Sequence, residues 1–411
     1  MAPDPIVVVG GGLAAGKLAS EYRAAGGEAV VTILGAEPEP PYSRPPLTKA
    51  FLRGEMEREG PLVRPAAEYE DEVIELRTGA TVETIDPDAH EVELKGGERV
   101  PYGTLVIATG ARPRPLPLPG GDLVGVHTYR TLGDAEAVRD AAEEAHAAIV
   151  VGGSFIGSET AASLRMRGLA VTMIEMGPTL MPQLRAPALS AELVEWYRSE
   201  GVEVLLETQL EELTANGRLL TGARTTDGCT IEGYLAVVGI GVVPNVELAQ
   251  EAGAEVDDGI VVDEQFRTSL PDVYAIGDVA KYPDRSSGRM RRIEHWSNAN
   301  AQGVHLGKQL AGDKDPYDAF PVFFTQLFDR KLQVLGDVEP AVECVLRGSL
   351  ADGRLIGYHL TDEQRLVGAV VHGESADVGA ELEALIREKA VVDDPSRLLD
   401  ESLRPAEAVE A

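Results

Sequence analysis

Two short glycine-rich stretches carry the most legible chemistry in this chain. Gly10-Gly11-Gly12-Leu13-Ala14-Ala15 follows the apolar run 6–9, and Gly152-Gly153-Ser154-Phe155-Ile156-Gly157 follows 147–151. A pyrophosphate needs backbone N–H groups aimed at it and no side chain in the way. A glycine turn that opens a helix meets both needs, and the helix N-terminus adds a favourable field. Gly10, Gly12 and Ala15 fit the G-x-G-x-x-G/A spacing. Near the end of the next strand stands Glu37, whose carboxylate can accept both hydroxyls of an adenosine ribose. The second turn departs from that spacing, because Ser154 replaces the middle glycine. A serine Cβ crowds a pyrophosphate, although its hydroxyl offers a hydrogen bond; Gly152 and Gly157 keep the turn. Glu175 ends the strand that follows. A carboxylate there favours a free 2′-hydroxyl and repels a 2′-phosphate, and Met176 brings no cation to reverse this, so the second nucleotide is expected to be NADH rather than NADPH. The plainer alternatives are an ordinary tight turn at Gly10 and a solvated strand end at Glu175.

Such turns work only between a strand and a helix. Helices are expected over 13–25, stopped by Gly26-Gly27, and over 156–167, stopped by Gly168. β-branched strands follow each, over 30–34 and 170–174. The chain therefore carries two β-α-β openings about 140 residues apart, and one dinucleotide fold each is the economical reading. Further strands are expected over 92–94, 105–108, 202–206, 236–240 and 273–276, with the Pro-rich 112–121 as a crossover linker. After Pro321 the pattern changes to consecutive antiparallel strands over 333–336, 344–347, 354–360 and 365–371, then a helix over 376–389. The expected class is α/β: two Rossmann-like dinucleotide-binding domains plus a C-terminal α+β cap domain. The boundaries read as 1–112 with 237–320, then 113–236, then 321–411. The acidic tail after Pro405 is expected to fray.

Composition narrows the function. The 411 residues carry a net charge of −31, which disfavours nucleic acid and anionic membranes, since phosphate contacts need a basic surface. Only two cysteines occur, Cys229 and Cys344, which excludes a disulfide scaffold, a zinc ribbon, a cysteine-ligated iron–sulfur cluster and a CxxC pair. The seven histidines show no metal-ligand spacing, so no metal is expected. No apolar run reaches a membrane span, and the strand over 6–9 begins too early to leave room for a signal peptide. A cytoplasmic protein is expected.

Six further segments carry a resemblance. They are Pro41-Tyr42-Ser43-Arg44-Pro45-Pro46-Leu47-Thr48-Lys49, Ala108-Thr109-Gly110, Tyr129-Arg130-Thr131, Gly239-Ile240-Gly241-Val242-Val243-Pro244-Asn245, Tyr274-Ala275-Ile276-Gly277-Asp278 and Arg292-Ile293-Glu294-His295-Trp296. In this order they resemble the FAD-dependent ferredoxin and rubredoxin reductases of oxygenase systems. That group has the glutathione-reductase fold and is related to apoptosis-inducing factor and monodehydroascorbate reductase.

The resemblance implies FAD and NADH as cofactors. It places Gly10, Gly12, Ala14, Ala15, Glu37, Arg44, Val82, Ala108, Thr109, Gly110, Arg130, Gly277, Asp278, His295 and Trp296 at FAD. It places Gly152, Ser154, Phe155, Ile156, Gly157, Glu175 and Gly241 at NADH. Asp278 would bond the ribityl chain. Lys49 would lie by the flavin ring, held by Glu159 as partner; otherwise the two are unrelated surface charges. Trp296 would end near the ring, unless it is a core aromatic, with Ser297 capping a helix over 298–310 whose positive end would stabilise reduced flavin. Hydride would pass from NADH to the flavin, and electrons would leave singly to a ferredoxin or rubredoxin. Arg285, Arg289, Arg291 and Arg292 would dock that partner, or else form a solvated loop.

The sequence also departs from the family. Ala36 stands where an Asp is common, and Phe323-Phe324-Thr325-Gln326 replaces an aromatic-Trp-Ser-Asp stretch. A CxxxxC pair is missing from the early segment, so disulfide substrates are not expected. A stand-alone NADH oxidase or quinone reductase, and a redox signalling protein like apoptosis-inducing factor, are the alternatives. A monomer and a homodimer both stay open.

Overall fold

Ile6 to Val9 are four successive β-branched residues, all buried, and they form the central strand of a parallel sheet. Such side chains suit a pleated surface, and burial on both faces explains the unbroken apolar run. The computed structural model describes residues 4–409, and the chain falls into two compact units. The first unit comprises the residues up to Ser43, Glu59–Arg112 and Val242–Ala319. Its main sheet runs in the order Val273–Ala275, Thr104–Ile107, Ile6–Val9, Val31–Gly35, Ile74–Thr78, every pairing parallel. A three-stranded antiparallel sheet (Val82–Asp86, Glu91–Leu94, Arg99–Pro101) extends this unit. The helices Leu13–Ala24 and Trp296–Leu310 lie against each other at glycine. A Cβ at Gly303 would stand 2.4 Å from the Ala14 carbonyl oxygen, and one at Gly307 would stand 2.5 Å from that of Leu18. Only glycine permits so close an approach, which seats the second helix on the first.

The second unit comprises Arg44–Arg58, Pro113–Gly241 and the chain from Phe320 on. Its parallel sheet runs Val202–Leu205, Ala170–Ile174, Ala147–Val151, Leu235–Val238, Val126–Thr128. A small antiparallel sheet, Leu210–Asn216, Leu219–Thr225 and Thr230–Glu232, sits in the same unit. The C-terminal region is a five-stranded antiparallel sheet in the order Val322–Leu327, Arg330–Gly336, Leu366–His372, Arg354–Leu360, Glu343–Ser349, followed by the helix Ala376–Arg387. The α/β class holds: each parallel sheet carries a strand–turn–helix–strand opening of the Rossmann type, and an α+β region follows. Among the described residues no helix is long and apolar enough to cross a membrane, and no group of side chains could hold a metal ion.

One expectation fails at the C-terminus. The described part of the tail does not fray: Pro405–Val409 forms a short helix whose Ala408 and Val409 are buried with Leu382, Leu385 and Ile386, and residues 410–411 lie outside the described residues. Arg404 pairs with Glu381 at 2.8 Å beside it. The acidic composition masked two apolar residues on one face, and their burial opposes fraying.

Candidate functional site

In the first unit, Gly10 takes φ +115°, a conformation that favours glycine. A Cβ there would stand 2.3 Å from the Ala108 carbonyl oxygen, so the turn rests on the end of the Thr104–Ile107 strand. Gly12 is extended (φ −85°, ψ −175°), and a Cβ on it would meet nothing within 4 Å. The space left by that missing side chain opens at the start of the Leu13–Ala24 helix. The helix begins with no side-chain cap and no acid in its first turn. Its leading N–H groups suit an anion, and the glycine cradle fits a pyrophosphate.

Around this turn the structure gathers several of the residues singled out in the sequence. Thr109 donates its hydroxyl to the Asn245 carbonyl at 2.8 Å, and the Asn245 amide donates to the Thr109 carbonyl at 2.9 Å. This stitches the Ala108-Thr109-Gly110 stretch to the following Pro-Asn turn. Gly277 (φ +78°) lies against Ala14, where a Cβ would be 3.4 Å from the alanine methyl. Its N–H donates to the buried Gln302 amide oxygen at 2.7 Å. Asp278 is half-buried next to it, and Val82 is buried in the small sheet. Glu37 is half-buried and accepts a hydrogen bond from the Tyr42 hydroxyl. Loss of water drives the His295 pKa down to about 4, against the pull of the nearby Asp278 carboxylate, so this imidazole is neutral at ordinary pH. Trp296 is 39% exposed, which sets it apart from a core aromatic.

One expectation here needs correction. The cap of the Trp296–Leu310 helix is His295, with extended φ −117° and ψ 144°, not Ser297. The backbone leaves the extended state one residue after His295, so Ser297 already lies inside the first turn. Several arginines of the basic stretch have carboxylate partners. Arg291 pairs with the buried Asp284 at 2.9 Å, Arg285 with Glu264 at 3.5 Å, and Arg292 with Asp258 and Glu294. Carboxylates of the same unit compensate these cations.

In the second unit the turn repeats. Gly152 takes φ +104°, and a Cβ there would stand 2.5 Å from the Gly239 carbonyl oxygen. Ser154 is extended (φ −83°, ψ −167°) at the start of the Phe155–Met166 helix, again with no side-chain cap and no acid in the first turn. Its hydroxyl reaches the Gly239 carbonyl only at 3.4 Å. Glu175 straddles the turn: one carboxylate oxygen accepts the Gly153 N–H at 2.6 Å and the other accepts the Gly177 N–H at 2.7 Å. By contrast, the Leu132–Glu144 helix of this unit starts with a full capping box between Thr131 and Asp134. Ile156 is partly exposed, and Phe155 meets Phe323 edge-on at 5.0 Å. Gly241 takes φ +97°.

The second unit also holds Lys49. Leu47–Phe51 is a single wide helical turn that breaks at Lys49 (φ −121°, ψ −110°). The ammonium meets the Glu159 carboxylate at 2.5 Å, and both side chains are buried. Glu159 also accepts the Thr48 hydroxyl at 2.6 Å and the Thr325 hydroxyl at 2.7 Å. Ser163 donates to the Thr48 carbonyl and Tyr129 to that of Leu47. Burial pushes the Tyr129 and Tyr197 phenols up, with the Glu159 charge adding to it, so both stay neutral. Arg44 donates to the Arg130 carbonyl at 2.5 Å. The Lys49–Glu159 pairing is the one expected from the sequence. Thr48, Thr325, Ser163, Asn245 and Gln302 were missed. Gln302 left a signal, a long amide on the buried face of a helix; Thr48, Asn245 and Thr325 stood inside quoted segments without their bonds being foreseen, and Ser163 left none.

The profile of the pyridine nucleotide-disulphide oxidoreductase family matches residues 4–303. The chain is 39% identical over 348 residues to rhodocoxin reductase of Rhodococcus erythropolis, covering 85% of this chain and 82% of that one. It is 34% identical to the ferredoxin–NAD(+) reductase subunit of the benzene 1,2-dioxygenase system of Pseudomonas putida, over 99% of this chain and 98% of that one. In the crystal structure of the covalent putidaredoxin reductase–putidaredoxin complex, one chain is similar at a TM-score of 0.93 and 32% identity, covering 100% of this chain and 99% of that one. These relatives fall in the group that the six sequence segments resemble.

Proposed function

Because this chain belongs to the pyridine nucleotide-disulphide oxidoreductase family, we propose that it is an NADH-dependent FAD enzyme that passes electrons to a small ferredoxin-type iron–sulfur protein feeding an oxygenase. One observation carries the reading: the two glycine turns share one backbone conformation, and each opens a helix that lacks a side-chain cap and an acid. Two such starts suit two pyrophosphates. The relatives name the acceptor class, and the neighbour's title names a complex with putidaredoxin.

Bound FAD supplies acceptance of a hydride from NADH and release of the electrons one at a time. The chain's own residues bind and orient. Backbone N–H groups of the Gly10–Ala15 turn hold the FAD pyrophosphate, with Ala14 beside it, and Glu37 with Tyr42 takes the ribose. Val82, Ala108–Gly110, Gly277, Asp278, His295 and Trp296 of the same unit would complete that site, and Arg44 and Arg130 keep the roles toward FAD that the resemblance gives them. The Gly152–Gly157 turn, with Ser154, Phe155 and Ile156, holds NADH together with Glu175 and Gly241. Lys49, fixed by Glu159, offsets the negative charge that reduction brings. A neutral His295 leaves the start of the Trp296–Leu310 helix as the positive feature there. No acid or base is required, because hydride transfer needs positioning and a favourable field. Rubredoxin as acceptor, a cytoplasmic location and a monomeric or homodimeric state belong to the same reading.

The test is anaerobic reduction of the purified yellow protein by NADH, then turnover with ferredoxin, rubredoxin, quinone and oxygen in parallel. Turnover at least tenfold faster with an iron–sulfur protein is expected. Equal rates with oxygen or quinone would make the chain a stand-alone oxidase or quinone reductase, and a colourless protein that takes up no flavin would end the reading.

A further inference from the structure

The Lys49–Glu159 pair is buried, and a buried ion pair is stable only if its remaining lone pairs and protons also find partners. One Glu159 oxygen, Oε2, takes both the Lys49 ammonium and the Thr48 hydroxyl. The other, Oε1, takes the hydroxyl of Thr325. Thr48 and Lys49 are neighbours on one turn, so their two bonds to Oε2 leave the carboxylate able to swing about that edge. Thr325 reaches Oε1 from the Val322–Leu327 strand, 166 residues further along the chain. It is 1% exposed, whereas the adjacent Phe324 is 41% exposed, as alternation along a strand requires. Lys49 also donates to the Pro45 carbonyl at 3.0 Å, a single backbone bond that leaves the aim of the ammonium to its carboxylate partner. Thr325 holds Oε1, the carboxylate oxygen that neither Thr48 nor Lys49 holds.

We propose that Thr325 is a positioning residue for hydride transfer: by pinning Glu159 from the C-terminal sheet, its hydroxyl fixes where the Lys49 ammonium sits. The inference rests on the proposed NADH oxidation. It gives the threonine of the departing Phe323-Phe324-Thr325-Gln326 stretch a task independent of the aromatic beside it. On the role proposed for Lys49 toward reduced flavin, a misplaced charged group costs rate rather than nucleotide affinity, because the charge it offsets grows during the reaction.

The experiment compares parent holoenzyme, Thr325→Val and Thr325→Ser in anaerobic stopped-flow reduction by NADH, with flavin content and melting temperature measured alongside. Thr325→Val keeps the shape and removes the donor; Thr325→Ser keeps the donor. The limiting reduction rate of Thr325→Val is expected to fall about tenfold with KM for NADH within about twofold, and Thr325→Ser to recover to within about threefold of parent. Parent rates in Thr325→Val would overturn the inference, as would a Thr325→Ser variant as slow as Thr325→Val. If Thr325→Val fails to fold, Thr325→Ala against Thr325→Ser carries the same comparison. A parent that NADH does not reduce overturns the functional reading itself, which separates the two failures.

Discussion

At Gly10 and at Gly152 the chain makes the same turn twice. The glycines take φ +115° and +104°, and the extended residues after them, Gly12 and Ser154, agree within a few degrees. Each first N–H donates at 2.9 Å to a buried carbonyl near the end of the neighbouring strand, Leu34 and Ile174 respectively. The difference lies in where side chains are admitted. The first turn accepts a methyl at its sixth position, where Ala15 is fully buried. In the second turn a Cβ at Gly157 would stand 1.9 Å from the Gly152 carbonyl oxygen. Conversely, the first turn is bare at Gly12, and the second carries a hydroxymethyl at Ser154. A shared fingerprint thus fixes the backbone and leaves two distinct tolerances, one tight behind the turn and one tight in front of it. The acids differ too: Glu175 braces its own turn through Gly153 and Gly177, while Glu37 accepts from Tyr42.

That contrast can be broken at its strongest point first. Gly157→Ala is expected to destabilise the protein by about 3 kcal/mol in urea unfolding, because the backbone must give way, whereas Ala15→Gly costs about 1 kcal/mol of helix propensity. Similar losses at the two positions would mean that the turns are equally tight. Next comes Glu175→Ala, which removes both braces and the carboxylate proposed for the ribose. KM for NADH should rise about tenfold or more (roughly 1.4 kcal/mol) and the preference over NADPH should shrink, measured by steady-state kinetics with both nucleotides. Glu37→Ala should instead lower flavin retention during dialysis; a matching loss of NADH affinity would show that the two acids do not divide the work as described. The smallest effect belongs to Ser154→Gly, whose extended backbone imposes no demand for glycine. KM for NADH is expected to fall by no more than about threefold, which is under 1 kcal/mol. A rise would show that the hydroxyl donates to the nucleotide and outweighs the crowding.

What the sequence revealed divides along chain distance. The strand–turn–helix openings were legible because they are local: β-branched runs, then glycines at fixed spacing, then alanine-rich helices. The Ala170–Ile174 and Arg354–Leu360 strands fall where expected, and most others differ at an end by a residue or more. The two small antiparallel sheets were largely invisible, since short strands rich in Glu and Thr look like loops. Within the site, the motifs pointed to Lys49 and Glu159 but not to their two threonine donors, because a hydroxyl at Thr325 has no local signature. The Asn245–Thr109 exchange spans 136 residues and was equally hidden. The helix start at Trp296 was misjudged by the pull of a serine, a good capping residue that here lies inside the helix.

The polypeptide changes unit five times, after Ser43, Arg58, Arg112, Gly241 and Ala319. No continuous fragment contains either unit alone, so neither can be cut out by truncating one end. A ribosome adding roughly 5–20 residues per second would need on the order of 15–60 seconds to reach Ala319. Until then the first unit lacks its last stretch, including the helix that seats Gly303 and Gly307 on Ala14 and Leu18. The first unit can close only after about three quarters of the chain has been made, whatever the order in which its earlier pieces form.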